Sequence, residues 1–476
     1  MQRAKDATKQ GFQADDVRAP ALAGIATHAE AARIGLTVEE SVACLHRYAY
    51  LEAALTRLLA ARVCGTPEWE VKGAAALHAW YDAEHAALFQ KRVSEMRNPP
   101  PNVFKAPTPE LAAFADELVR PHSTVEYLIG IYGVVRPALL HAYRRLQLLT
   151  NPIAGHPTVR LLRMVIPDEE EALAWGQEAI AALVRTEEQR SAAEVWREHL
   201  EAYLAAAGGV DGDVETAGIK VLAPRAEREP FEITVDPVRD HAGAEFPYDL
   251  MPRFQRPDVT SHEAAWAEMY DRVREMDAVE MVAPLVAGAT DKPWEYVRDM
   301  ARQLWDETRH SMMGEVGFER VGADWRSIPI PVIQSRAPNT HLTPAEVHLV
   351  LWDIEQSMMP RKTGKGYQRD IAEAAGNALG YQNQDYDWAD EVLHVQIGRR
   401  WLLPEFGSRE RMREVAEACS QRLRDAGMDT AIYDHEACNW WDDFYREICR
   451  LEADAGPPEW MTKPAHDQKA KSRAPS

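Results

Sequence analysis

The chain repeats itself once, and helical periodicity runs through both copies. Laying Glu68-Trp69-Glu70 over Pro293-Trp294-Glu295, a shift of 225, puts His85 on His310, Asp82 on Glu307, Ala76 on Ala301 and Glu52 on Asp277 without a gap. Further on, Asp168-Glu169 falls on Asp390-Glu391 and Gly176 on Gly398 at a shift of 222, and Pro137 meets Pro360 at 223. Self-similarity at long period means that one architecture is built twice. In the first copy, residues 48–63, 70–96, 124–149 and 158–207 read as long amphipathic helices rich in Ala, Leu, Glu and Arg. In the second, helices are expected over 262–286, 294–321, 343–359, 366–379 and 388–402, and a further pair over 410–426 and 433–455.

Between the copies the character changes to Gly-Gly followed by repeated Pro and Asp, with a short β-leaning piece at 231–235. Such a stretch reads as a linker wrapping the surface. The expected organisation is an N-terminal arm (1–36), a first bundle (37–207), a linker (208–260), a second bundle (261–405) and a C-terminal helical extension with a polar, disordered tail (406–476). Fold class is therefore all-α, as two tandem four-helix units that dock as a pseudo-dimer within one chain.

Composition removes several functions. A net charge of −21 argues against nucleic-acid binding, which draws on Lys and Arg. No run approaches the 18 apolar residues of a membrane span, and the polar N-terminus lacks the apolar core of a secretory signal. The five cysteines include no CxxC pair, so neither a disulfide framework nor a thiolate zinc site is indicated. The expectation is a cytoplasmic protein that binds neither nucleic acid nor membrane.

Chemistry concentrates in the second copy. Glu307-Thr308-Arg309-His310 and Glu391-Val392-Leu393-His394 each place a carboxylate and an imidazole one helical turn apart, able to reach one ion. With 16 histidines in a Glu-rich chain, about one or two such pairs arise by chance, so the motif alone says little. Context says more. Each pair is preceded by an aspartate, Asp306 and Asp390, placed to accept a hydrogen bond from the second nitrogen of a ligand histidine. Asp277 lies 30 residues before Glu307, and Glu355 lies 36 before Glu391, spacings that fit antiparallel helix pairs. The six expected ligands are Asp277, Glu307, His310, Glu355, Glu391 and His394. Asp277, Glu307 and His310 would surround one ion, Glu355, Glu391 and His394 the other, and Glu307 and Glu391 would bridge.

These residues resemble the ferritin-like di-iron carboxylate superfamily. Within it, the two Asp-Glu-x-x-His motifs look like those of bacterial multicomponent monooxygenases and of the ribonucleotide reductase small subunit. The resemblance implies two iron ions, with manganese accommodated in one position, and O2 as co-substrate. It further implies hydroxylation, desaturation or N-oxygenation of a small organic substrate. No flavin, nicotinamide or iron–sulfur signature is present, so electrons would come from an external reductase or ferredoxin-like donor. Two other classes fit the same residues: an iron-handling ferroxidase, and a non-catalytic ferritin-like binding protein.

The first copy keeps only part of the pattern. Glu52, Asp82, His85 and Glu169 match, but Ala172 stands where the second histidine would be and Tyr132 where the counterpart of Glu355 would be. This half is expected to be mainly a scaffold carrying a vestigial metal site. Finally, Arg361-Lys362-Thr363-Gly364-Lys365-Gly366 follows the Glu355 helix. It reads first as a solvated turn and second as an anion clamp.

Overall fold

A computed structural model describes residues 20–225, 231–240, 248, 250, 258–428 and 434–455. The outer part of the N-terminal arm, the expected disordered tail and parts of the linker lie outside the described residues. The long elements are α-helices, here numbered α1 (Val38–Arg62), α2 (Trp69–Met96), α3 (Pro109–Leu118), α4 (Arg136–Leu149), α5 (His156–Leu183), α6 (Glu187–Ala206), α7 (Ser261–Arg274), α8 (Met276–Gly288), α9 (Trp294–Glu319), α10 (Ile333–His341), α11 (Pro344–Ser357), α12 (Lys365–Ala374), α13 (Ala378–Phe406), α14 (Arg409–Asp425) and α15 (Trp440–Ala455). Residues 231–235 form no strand. No described helix is long and apolar enough to cross a membrane.

Local chemistry sets the ends of these helices. The segment expected as one helix over 158–207 is two, because Thr186 restarts it: its hydroxyl accepts from the Gln189 amide while the Gln189 side chain accepts from the Thr186 amide. Thr343 and Glu346 make the same reciprocal pair at the start of α11. The expected helix over 262–286 is likewise divided, at Glu275, where α7 ends and α8 begins. α13 starts ten residues before the expected position 388, capped by the Asn377 side chain.

The chain packs as two compact units. Among the described residues the first comprises 20–50, 88–114 and 125–222. Its core includes the Tyr48, Phe89 and Tyr143 rings, with the Tyr48–Tyr143 centroids 5.0 Å apart. Arg47, buried, closes the unit by donating to the carbonyls of Ala207, Gly209 and Val210. A π-helical turn at Ile129–Val135 leads into α4.

The second unit comprises residues 51–87, 115–124 and 223–476, so the end of α1 and the beginning of α2 pack with the helices of the second repeat. Trp69 and Trp294, equivalent by the repeat, both open long helices. The Trp69 indole donates to Glu315 on α9 at 2.7 Å, and that of Trp294 to the Ala83 carbonyl on α2 at 3.0 Å. The linker is tied in by Arg239, whose guanidinium reaches Glu280 at 2.7 Å. Lys72 meets the same carboxylate at 2.8 Å, and all three side chains are fully buried. The C-terminal α15 lays Trp441, Phe444 and Tyr445 against Tyr270, Phe318 and His262.

Close helix contacts that require a glycine occur in both units, and one in each involves an aromatic ring. A Cβ on Gly398 of α13 would lie 2.4 Å from Trp352 of α11. In the first unit, a Cβ on Gly176 of α5 would lie 2.0 Å from Tyr132. These two glycines are equivalent by the sequence repeat, and both admit an aromatic ring from the preceding helical segment.

Candidate metal centre

The second unit buries an unusual density of ionisable side chains between α7, α9, α11, α12 and α13. Glu307, His310, Glu355, Asp387, Glu391 and His394 are each at most 5% exposed. Two groups of ligand-type atoms form there, the atoms of each lying within 4.8 Å of one another: Glu275, His310, Asp387 and Glu391 in one, and Glu307, Glu355 and His394 in the other.

The histidines are held alike. His310 approaches Asp390 through Nε2 at 3.2 Å, and His394 approaches Asp306 through Nε2 at 3.4 Å. Each aspartate thus holds the histidine of the opposite motif. A carboxylate at Nε2 favours the proton there, so the Nδ1 lone pair points into the cluster. The aspartates are fixed in turn by arginines. Arg309 bonds both Asp306 and Asp390, the latter at 2.8 Å, and Arg302 meets Asp306 at 2.8 Å. Burial works against ionising Asp306, but the hydrogen bonds with His394 and Arg302 hold its carboxyl well below the usual range.

Around the Nδ1 atoms stand carboxylate oxygens to which they make no hydrogen bond. His310 Nδ1 lies 3.3 Å from Glu275, 3.4 Å from Asp387 and 3.6 Å from Glu307. His394 Nδ1 lies 3.4 Å from Glu307, 3.5 Å from Glu355 and 3.8 Å from Glu391. Bonds of about 2.1 Å to a central cation set neighbouring donor atoms about 3.0–3.4 Å apart, depending on geometry. The observed spacings come close to that range. Glu275 Oε2, Glu307 Oε1, His310 Nδ1, Asp387 Oδ2, Glu391 Oε2 and His394 Nδ1 are all buried and make no hydrogen bond. Desolvated polar atoms left this way are costly, and a cation shared among them would satisfy them together. The donor set of carboxylates and imidazoles suits Fe(II) or Mn(II). Glu307 directs one oxygen to each histidine, the disposition of a bridge.

Without a cation, burial disfavours the charged form of both imidazoles. The surrounding acids outweigh it, Asp387 foremost for His310 and Asp306 for His394, and both pKa values rise well above the ordinary histidine range.

The structure redistributes the expected ligands. Glu307 falls in the His394 group and Glu391 in the His310 group, each across from its own motif's histidine. Asp277 joins neither group. Its carboxylate accepts from the backbone amides of Gln334 and Ser335, both at 2.8 Å, and so caps the first turn of α10. Two positions apart on a path that keeps α-region dihedrals at Glu275, the side chains point about 200° apart, so Glu275 faces His310 and Asp277 faces the start of α10. Asp387, one turn before Glu391 on α13, is the other member absent from the sequence reading. Its i, i+4 spacing to Glu391 was the available signal.

The chain matches no known protein family, no curated protein and no solved structure.

The four residues of the expected vestigial set, Glu52, Asp82, His85 and Glu169, are all buried. Glu52, Asp82 and His85 are buried together in the second unit, with Glu52 3.4 Å from His85 Nδ1. Glu169 belongs to the first unit, where Arg136 pairs with it at 2.7 Å, both fully buried. In the 361–366 turn, Arg361 and Lys362 are exposed as expected, but Lys365 points inward. Its ammonium is 2.9 Å from both Asp387 and Glu391.

Proposed function

We propose that the chain is an O2-dependent, non-haem di-iron oxidoreductase of ferritin-like architecture, acting on a small organic substrate. The observation that carries this reading is the pair of buried, otherwise unpartnered Nδ1 atoms facing the two oxygens of Glu307 at 3.4 and 3.6 Å. One imidazole with carboxylates on either side of a shared carboxylate is a ligand set for two adjacent ions. The equivalent glycine contacts at Gly398 and Gly176 support a duplicated bundle, in which only the second copy keeps both histidines.

A reduced iron pair held here, supplied with electrons by a separate iron–sulfur or flavin donor, would activate O2 for hydroxylation, desaturation or N-oxygenation. The protein residues prepare that chemistry. Asp306 and Asp390 fix the histidine tautomers, and Arg302 and Arg309 hold those aspartates in place. Glu268, two turns before Glu275 on α7, is buried; that burial and the neighbouring Asp271 push its carboxyl upward, so it holds a proton more firmly than an exposed glutamate.

The test is oxygen consumption. The protein is loaded with Fe(II) without oxygen and mixed with O2 in a stopped flow. The reading expects rapid O2 uptake with a transient visible band, both absent in His310→Ala. Iron binding without O2 uptake would remove the oxidoreductase function and leave a metal-binding protein. Iron oxidation continuing over many ions per chain would support a ferroxidase instead.

A further inference from the structure

The two groups of ligands differ most in their cations. Glu307 and Glu355 pair with no Lys or Arg within 4 Å among the described residues: Gln303 donates its amide to Glu355 at 3.2 Å, and the charge of Lys365 acts on Glu355 only from farther off. The group of Glu275, His310, Asp387 and Glu391 is contacted by two buried positive charges. Arg272 forms ion pairs with Asp387 and, at 2.9 Å, with Glu275, and also meets Asp271 at 3.2 Å. Lys365, 3% exposed, lies 2.9 Å from Asp387 and Glu391 and 3.7 Å from Glu275. Its inward course depends on the backbone. A Cβ at Gly364 would strike the Met358 carbonyl at 1.9 Å, and one at Gly366 the Arg361 carbonyl at 2.6 Å, so the turn closes tightly enough to begin α12 with Lys365 inside.

The cations divide each carboxylate in two. Arg272 and Lys365 engage Glu275 Oε1, Asp387 Oδ1 and Glu391 Oε1, while Glu275 Oε2, Asp387 Oδ2 and Glu391 Oε2 stay buried without a hydrogen bond. With neutral imidazoles, three carboxylates and two cations leave a net charge of −1 in this group, against −2 for Glu307 and Glu355. In a buried setting that difference, and the repulsion from an ammonium in contact with the ligands, outweighs one additional donor atom.

We infer that the two ion positions are inequivalent and fill in order, with Lys365 as the residue that weakens the Glu275/His310/Asp387/Glu391 position. This rests on the reading of the two groups as ion positions. The Glu307/Glu355/His394 position takes the first divalent cation. The second enters against the charge of Lys365, and the pair is complete only at higher metal concentration.

The experiment is an anaerobic titration of the full chain with Mn(II), counting free ion by its electron paramagnetic resonance signal. Wild type is expected to bind in two phases, the second at least tenfold weaker. Glu355→Gln should remove the tight phase and His310→Ala the weak one. Lys365→Met should bring the two affinities within about threefold, whereas Lys365→Arg should keep them apart. Equal affinities in wild type, loss of the tight phase in His310→Ala, or an unchanged ratio in a folded Lys365→Met protein would each overturn the inference. If Lys365→Met does not fold, the two phases of wild type and their assignment by Glu355→Gln and His310→Ala decide the matter. Binding of no Mn(II) at all would instead overturn the reading of these groups as ion positions, and this inference with it.

Discussion

His310 on α9 is held by Asp390 on α13, Nε2 to Oδ2 at 3.2 Å, and the reverse contact joins His394 to Asp306 at 3.4 Å. The motifs are thus interlocked, each supplying the acid that orients the other's histidine. Asp306→Asn and Asp390→Asn remove that charge while nearly conserving shape. Either is expected to weaken Mn(II) binding about 10- to 100-fold, with the helical circular dichroism unchanged. Affinity within twofold of wild type would show that the aspartates do not orient the ligands.

Glu275 and Asp277 are two residues apart and do different things. Glu275→Ala should abolish the weaker metal equivalent with little loss of stability. Asp277→Ala should keep metal stoichiometry and cost about 0.5–2 kcal/mol, because the amides of Gln334 and Ser335 lose their cap. Metal analysis together with urea unfolding separates the two variants. The opposite pattern would restore the assignment made from helix spacing.

His348 gives the fold a pH dependence away from the candidate metal centre. It is buried on α11, 3.3 Å from the Tyr296 hydroxyl, and burial, reinforced by the charge of Lys292, pushes its pKa down to about 3. The unfolded chain takes up a proton near pH 6.5 and the native chain does not. This histidine therefore costs no stability above that pH and progressively more as pH falls from about 6.5 toward 3. Between pH 7 and pH 5 the loss attributable to it is about 2 kcal/mol. Urea unfolding of His348→Gln should show a correspondingly smaller loss over that interval, and identical losses would assign the acid sensitivity elsewhere.

Much of the centre was legible in the sequence because Glu-x-x-His has a fixed meaning on a helix: both side chains face one way. Glu307, His310, Glu391 and His394 were singled out by that spacing together with the aspartate that precedes each motif. Glu355 followed from antiparallel spacing, which tolerates a turn of error because its helix is unbroken from Pro344 to Ser357. Asp277 failed the same argument, since the number of residues between two helices does not say which of two near neighbours, Glu275 or Asp277, faces inward. Lys365 was hidden for another reason. A Lys in a Gly-containing turn reads as solvated, and only the close approach of Gly364 to Met358 turns it inward. The repeat exposed the shared plan through Gly176 and Gly398 but not how the helices associate, because the end of α1 and the start of α2 pack in the second unit.

The central claim is that Glu307 and the two histidines organise a dinuclear metal centre, and metal stoichiometry tests it most directly. The chain, dialysed against excess Fe(II) or Mn(II) without oxygen and freed of unbound ion, is analysed by elemental mass spectrometry beside the His310→Ala/His394→Ala double variant. The account predicts about two ions per wild-type chain and fewer than about 0.3 in the variant, with the helical fold retained. Equal metal content in the two proteins, or none in either, would contradict it.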